Sequence, residues 1–599
     1  MRYAYIDTLS LRGVAFTRAY DGVCVGMGFI GGSYVAKLGS GRTKLIGLLA
    51  LLAMLVPMFA VTPAASQDNG KVLRVHTVTD PDVVDPQKSS FSNEIELLVM
   101  NYEGLTRQDN DLNTVPAAAE SWEFNEDGTV LTFHLRAGLT YSDGSPLTAE
   151  RYRYAIERTC DPNTAGQYQS ILFEIKGCAE FAGSLTAPEA GEGTPAAEVD
   201  PAAYETTKAA LGAKAIDDTT LELTLTHPAP YYPTVASLWV FFPAKQELIE
   251  QGGEDWWKDP SLQIGNGPFQ MTEYAEEQQV TFAANENYWA GRPKLDGIEV
   301  VYQGETAVAL EAYRAGDIDI VDVDPQQIPE IMADPELSQQ MVQYPVASTY
   351  NLAFNLTMEP FTDIKVREAF SLAFDRETYC ATVRNGDCTP TLTWIPQGVP
   401  GSIESDKFGF DPEAAVAALA ESSYGGPDGL PDITLYYNSD DSANTARAEW
   451  VAGQYRDILG VTVTLEPTEG TALVALRKEP TTFPQMLLVG GWIQDYPDPQ
   501  NWLSVYWTCD ATFAKRVAYC NEEFDKLVLQ ADQEFDPAKR MELYQQAGQI
   551  LVDDVPGPFL YNLSQVSLVK PTVTGYTPTA LDVEFPGQFT SLLTIDKSE

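Results

Sequence analysis

Apolar residues recur along this chain at two spacings. They alternate over Lys71 to Val78, Ser121 to Asn125, Thr129 to Leu135 and Thr219 to Thr226, which predicts strands with one buried face. Asn125 to Gly128 forms a turn between the middle two. Elsewhere the spacing is helical. Ile95, Leu98 and Tyr102 predict a helix over 93–102, with Ser92 or Asn93 as cap and Gly104 as stop. Thr148 caps a second helix, and Val366, Ala369, Phe370, Ala373 and Phe374 share one face of a third, over 363–376. Pro412 opens another behind Asp411. Residues 433–437, 443–459 and 461–466 then read strand, helix, strand, with Gly460 ending the helix. Such a unit predicts a parallel sheet. A short apolar run, 486–489, predicts a buried strand. Two more helices follow near 522–533 and 537–553, and strand-like residues at 566–570 and 580–595. The fold class is therefore α/β. Residues 183–204, rich in Ala, Pro, Glu and Gly, read as a surface insertion.

Leu45 to Val61 is an unbroken apolar run of 17 residues behind Arg42 and Lys44, followed by Ala64, Ala65 and Ser66. Basic, apolar and small-residue segments in that order predict a secretory signal cleaved near Ser66. With 599 residues, the chain divides into several domains. Beyond residue 66 it holds 32 basic and 83 acidic residues, a formal charge of −51. That charge repels nucleic-acid phosphates and anionic membrane surfaces. No Cys stands at the cleavage site, so no lipid anchor is expected there. Six cysteines remain in the exported chain, in three local couples. The expected bonds are Cys160–Cys178, Cys380–Cys388 and Cys509–Cys520. With three scattered His and no CxxC, no metal site is expected. Asp109, Asp111 and Asn113 have calcium-loop spacing, but Thr114 stands where that loop needs Gly. Gly265-Asn-Gly-Pro268 reads as a tight turn between strands, not a dinucleotide fingerprint.

Candidate chemistry gathers after the 486–489 run. At Gly490-Gly491 the side chains vanish, so another backbone can approach. Trp492, Ile493, Gln494, Asp495 and Tyr496 follow, ahead of a Pro-rich turn. A strand end offering backbone, aromatic surface and one carboxylate suits an extended ligand with a positive end.

Ordered motifs along the chain carry a resemblance. They include Tyr102-Glu-Gly-Leu105, Ala119-Glu-Ser-Trp-Glu123, Phe133-His-Leu-Arg-Ala-Gly138, Ser142-Asp-Gly-Ser-Pro-Leu-Thr-Ala149 and Gly265-Asn-Gly-Pro-Phe269. Asn287-Tyr-Trp289, Gly316-Asp-Ile-Asp319, Val366-Arg-Glu-Ala369 and Asp375-Arg376 continue the series. From about Leu73 to Leu593 the chain resembles the dipeptide/oligopeptide class, family 5, of extracellular solute-binding proteins that serve bacterial ABC importers.

The resemblance implies a two-lobe, type II periplasmic-binding fold with an extra subdomain inserted in the first lobe. Residues 1–66 are then extension and signal. The first lobe comprises 67–112, the inserted 113–230, 231–348 and the returning 564–599, and the second lobe comprises 349–563. Crossings are expected near 345–352 and 560–567. It further implies a peptide lying extended against Gly491, Trp492 and Ile493, with its α-amino group on Asp495. Gln494, Tyr496, Ser90 and Phe91 complete the expected contacts. A monomer delivering to a permease and its ATPase, with no cofactor and no catalytic group, is expected. Oligosaccharide, opine or metal-chelate ligands keep the fold, and Trp492, Trp502 and Trp507 would suit a sugar. A secreted hydrolase is the other class, but the chain has no GxSxG, HExxH or Walker pattern.

Overall fold

This computed structural model describes residues 70–185, 201–440, 442–478, 480–582 and 592–598. The signal and its cleavage site lie outside them, as does most of the strand expected over 580–595.

One long strand organises the molecule. Phe559–Val569 runs through the middle of a 12-stranded sheet. Its first half pairs with Ser348–Phe354 and Cys388–Pro390, its second half with Met341–Pro345 and Ile320–Asp322. Beyond Ile320–Asp322 lie Val72–Thr77, Gly297–Tyr302, Gln279–Ala284 and Phe269–Ala275. Beyond Ser348–Phe354 lie Met486–Ile493, Ile433–Asn438 and Val463–Thr468. The sheet thus has two wings, one per lobe. The chain passes between them at Val346 and Ala347 and within the 559–569 strand. There Val346 N–H donates to the Leu563 carbonyl at 2.8 Å.

Local sequence explains most elements. In the strand–helix–strand unit, Ile433, Leu435 and Tyr437 are buried in alternation. Ala448, Val451, Tyr455 and Leu459 are buried at helical spacing, and the two strands pair in parallel. Asp411 accepts from Ala414 N–H at 3.0 Å and caps Pro412–Glu421. The inserted subdomain carries its own antiparallel sheet, ordered Ala119–Phe124, Val130–Leu135, Thr220–Thr224, Ala213–Asp217. Its core merges with that of the first lobe. The three expected disulfides are present, with Cα separations of 5.2, 5.4 and 4.5 Å.

Several expectations need correction. Neither Ser92 nor Asn93 caps the first helix. Phe91 holds that position, and the Glu94 carboxylate accepts from Ser90 and Phe91 N–H at 2.7 and 3.1 Å. The Gly265–Pro268 turn does not join two strands. It follows the helical segment Gly253–Lys258 and docks on the end of the first helix, where Gly267 N–H meets the Asn101 carbonyl at 2.9 Å. A Cβ on Gly265 would lie 1.7 Å from that oxygen, so only glycine fits. The third helix ends at Leu372 because Asp375 caps a separate short turn. Part of the expected surface insertion is the helix Pro201–Ala209. Asp109 accepts from Asp111 and Asn113 N–H at 2.9 Å, an ordinary turn.

Candidate ligand-binding site

The strand after Phe483 does not stop at Val489. It runs Met486–Ile493 because Gly490 to Ile493 pair with Asn351 to Ser348. Gly490 and Gly491 do admit a close backbone, but that backbone is the neighbouring strand. A Cβ on Gly491 would lie 2.7 Å from the Thr349 carbonyl, and one on Gly490 would lie 2.5 Å from Asn351 Oδ1.

The other edge of this strand is where a ligand could add. Its parallel neighbour meets it only at Met486 and Leu487. Gln494 N–H donates to the Ala347 carbonyl at 2.9 Å, so by strand alternation Gly491 and Ile493 turn their backbone groups the opposite way. On that side Gly491 N–H meets the Tyr506 hydroxyl. From Leu488 onward no described strand pairs there. Ile493 is exposed and Trp492 half-buried.

Asp495 follows two residues later. Its Oδ2 accepts from Asn501 Nδ2 at 2.9 Å, and its Oδ1 from the Tyr168 hydroxyl at 3.2 Å. Asn501 Oδ1 in turn accepts from Asp495 N–H at 3.0 Å and Trp492 Nε1 at 2.9 Å, so one amide fixes both residues. No Lys, Arg or His of the described residues forms an ion pair with Asp495. Asp495 is half-buried, and the protein packed around it sets its charge cost. Burial pushes its pKa up to about 6, against the opposing hydrogen bonds from Asn501 and Tyr168. The Asp495 charge, then burial, raises the pKa of Tyr168, which therefore stays a protonated donor. Asp495 does not cap the following turn. Asp498 does so, accepting from Gln500 N–H at 2.9 Å while Arg540 grips it at 2.7 and 2.8 Å.

The remaining expected residues separate into two groups. Ser90 is half-buried and Phe91 exposed, in a loop of the first lobe. That loop is tied toward Asp495 through Trp239, whose Nε1 donates to the Ser89 carbonyl at 2.9 Å and whose ring meets Tyr168 edge-on at 5.0 Å. Gln494 and Tyr496 are buried instead. Gln494 accepts from Trp502 Nε1 at 2.8 Å, and Tyr496 packs in the first lobe's core and donates to Gln500. Trp502 and Trp507 are fully buried core residues, closed to sugar stacking. Tyr168 and Asn501 are the partners that sequence reading missed. Tyr168 lies 327 residues from Asp495 in an irregular stretch without a motif.

Comparison with known proteins gives the family and the fold. The family description "Bacterial extracellular solute-binding proteins, family 5 Middle" matches residues 113–514, and the chain belongs to that family. It is 32% identical to the probable deoxycholate-binding periplasmic protein YgiS of Escherichia coli K12, over 89% of this chain and 95% of that one. It is 29% identical to the periplasmic oligopeptide-binding protein OppA of Salmonella typhimurium, over 88% and 94%. The unliganded open form of the murein tripeptide-binding protein MppA superposes with a TM-score of 0.73 at 25% identity, covering 88% of this chain and 98% of that one. The two-lobe α/β fold follows.

Proposed function

We propose that this chain captures peptides between its two lobes, outside the cytoplasm, and hands them to an ABC importer. One observation carries the reading. A half-buried carboxylate with no ion-pair partner among the described residues stands at the end of a strand edge that no described strand covers. Backbone pairing through Ile493 and the Gly491 carbonyl, beside the Gly491 N–H that Tyr506 holds, ignores side-chain identity, so one site accepts many sequences. The peptide's α-ammonium supplies the charge and donors that Asp495 lacks. A sugar brings no such charge, and the carboxylate of a bile acid would be repelled.

The lobe boundaries given above, a monomeric state, a permease with its ATPase and the lack of catalysis belong to the same reading. Among the described residues no helix is long and apolar enough to cross a membrane, and the relatives named above are periplasmic proteins.

Titration calorimetry with a free peptide, its N-acetylated form and deoxycholate tests the proposal. In Asp495→Asn the free peptide should bind about 30- to several-thousand-fold more weakly, the cost of removing one member of a buried ion pair. The acetylated peptide should bind poorly to the wild type and lose little more. Equal losses for both peptides, or tight binding of deoxycholate alone, would refute the amine assignment.

A further inference from the structure

The inserted subdomain touches the second lobe at a corner distinct from Asp495. Phe535, in the loop between helices Glu522–Asp532 and Pro537–Asp554, lays its ring edge-on against Phe124 at 5.1 Å. It also covers the turn that follows Phe124. A Cβ on Gly128 would lie 2.6 Å from the Phe535 ring, and that glycine sits at φ +73°. Five residues past Phe535, the Arg540 guanidinium reaches across to the ring of Tyr231, 5.6 Å from its centroid. Both halves of this second contact are held from behind. Asp498 grips Arg540, while Tyr231 donates to Glu174 at 3.0 Å and Glu174 pairs with His227 at 2.5 Å.

We propose that Phe535 and Phe124, backed by Arg540 and Tyr231, form a latch that sets ligand affinity without touching the ligand. The proposal rests on the reading that a solute is captured between the lobes. A contact made only when the lobes meet stabilises the closed state, and any ligand enclosed by closure gains by the same factor. Phe535 is 44% exposed even with its ring on Phe124, which is unusual for a phenylalanine whose task is to fill a core. Its loop position lets it part from Phe124 without disturbing either helix. These four are positioning residues for capture. The contact at Asp495 selects the ligand, whereas the latch is indifferent to it.

Phe535→Ala in the full chain tests this. Exposure of Phe535 predicts little change in unliganded melting temperature. Two peptides of different sequence should each bind about three- to tenfold more weakly, by the same factor, through faster dissociation. The unliganded protein should show a larger scattering radius of gyration than the wild type. Phe124→Leu should reproduce the loss, and the double variant should lose no more than the larger single loss. An unchanged radius with unchanged affinities would overturn the latch. So would losses that differ between the peptides, since those place Phe535 on the ligand. If no peptide binds the wild type, the reading of function fails, and the radius of unliganded Phe535→Ala still decides the latch.

Discussion

At pH 7 Asp495 holds its charge against its surroundings. Its folded pKa of about 6 stands above the ordinary 3.8, so ionisation costs the folded state on the order of 3 kcal/mol. The sign follows from the direction of the shift. The cost is fully present above pH 6 and disappears as pH falls toward 4. Asp495→Asn removes it at pH 7. The Tyr168 hydroxyl can rotate to accept from the new amide while Asn501 still donates to its oxygen. Unliganded Asp495→Asn should therefore melt about one to a few degrees higher than the wild type at pH 7. A lower melting point would mean that the carboxylate is structural. The same proton governs binding. Below pH 6 an α-ammonium must displace it, so affinity for a free peptide should fall about tenfold per pH unit. Calorimetry from pH 4.5 to 7.5 checks this, and an N-acetylated peptide should show no such slope. Asp495 was legible in the sequence as a candidate because it follows a strand end and a run of glycine and aromatic residues. Its partner Tyr168 was not, because only the folded chain brings the inserted subdomain to it.

Elements were legible where one face is buried and the other wet. The 442–459 helix and the two strands around it fall where their periodicity placed them. The central strand was predicted only at its end, over 566–570, yet runs from Phe559. It takes four partner strands in turn along its length and is largely buried, so it lacks the alternation that marks a half-buried strand. The Met486–Ile493 strand was cut short because its glycines read as an opening for ligand. They are an opening for the Ser348–Phe354 strand. Gly491→Ala puts a methyl 2.7 Å from a backbone oxygen that cannot swing aside. It should lower stability by about 1–3 kcal/mol in denaturant titration. Intact stability with lost binding would return the glycine to the ligand. The Cys160–Cys178 bond closes an 18-residue span between two helices of the inserted subdomain. Replacing both by Ser should cost about 3 kcal/mol.

For the whole molecule, the two wings share one sheet through the 559–569 strand, and the chain crosses between them at 346–347. These few connecting residues join two wings that each have their own core, a connection suited to a hinge. The lobes meet in this structure, since the hydrogen bond from Tyr168 to Asp495 spans them, as does the ring pair Phe124 and Phe535. On the proposed reading, a ligand enclosed between the lobes enters at the Gly491–Ile493 edge as those contacts part. The same reading expects the unliganded protein to visit a wider arrangement, from which a ligand that fills the space between the lobes draws the population back. Small-angle scattering should give a smaller radius of gyration when a saturating free peptide is added, approaching that of the arrangement described here. Binding kinetics supply a second reading of the same motion. If opening precedes binding, the observed rate should level off at high peptide concentration, and the plateau should rise in Phe535→Ala, whose lobes part more readily. A radius unchanged at saturation, with a rate that climbs linearly throughout, would mean that the ligand enters without any movement of the lobes.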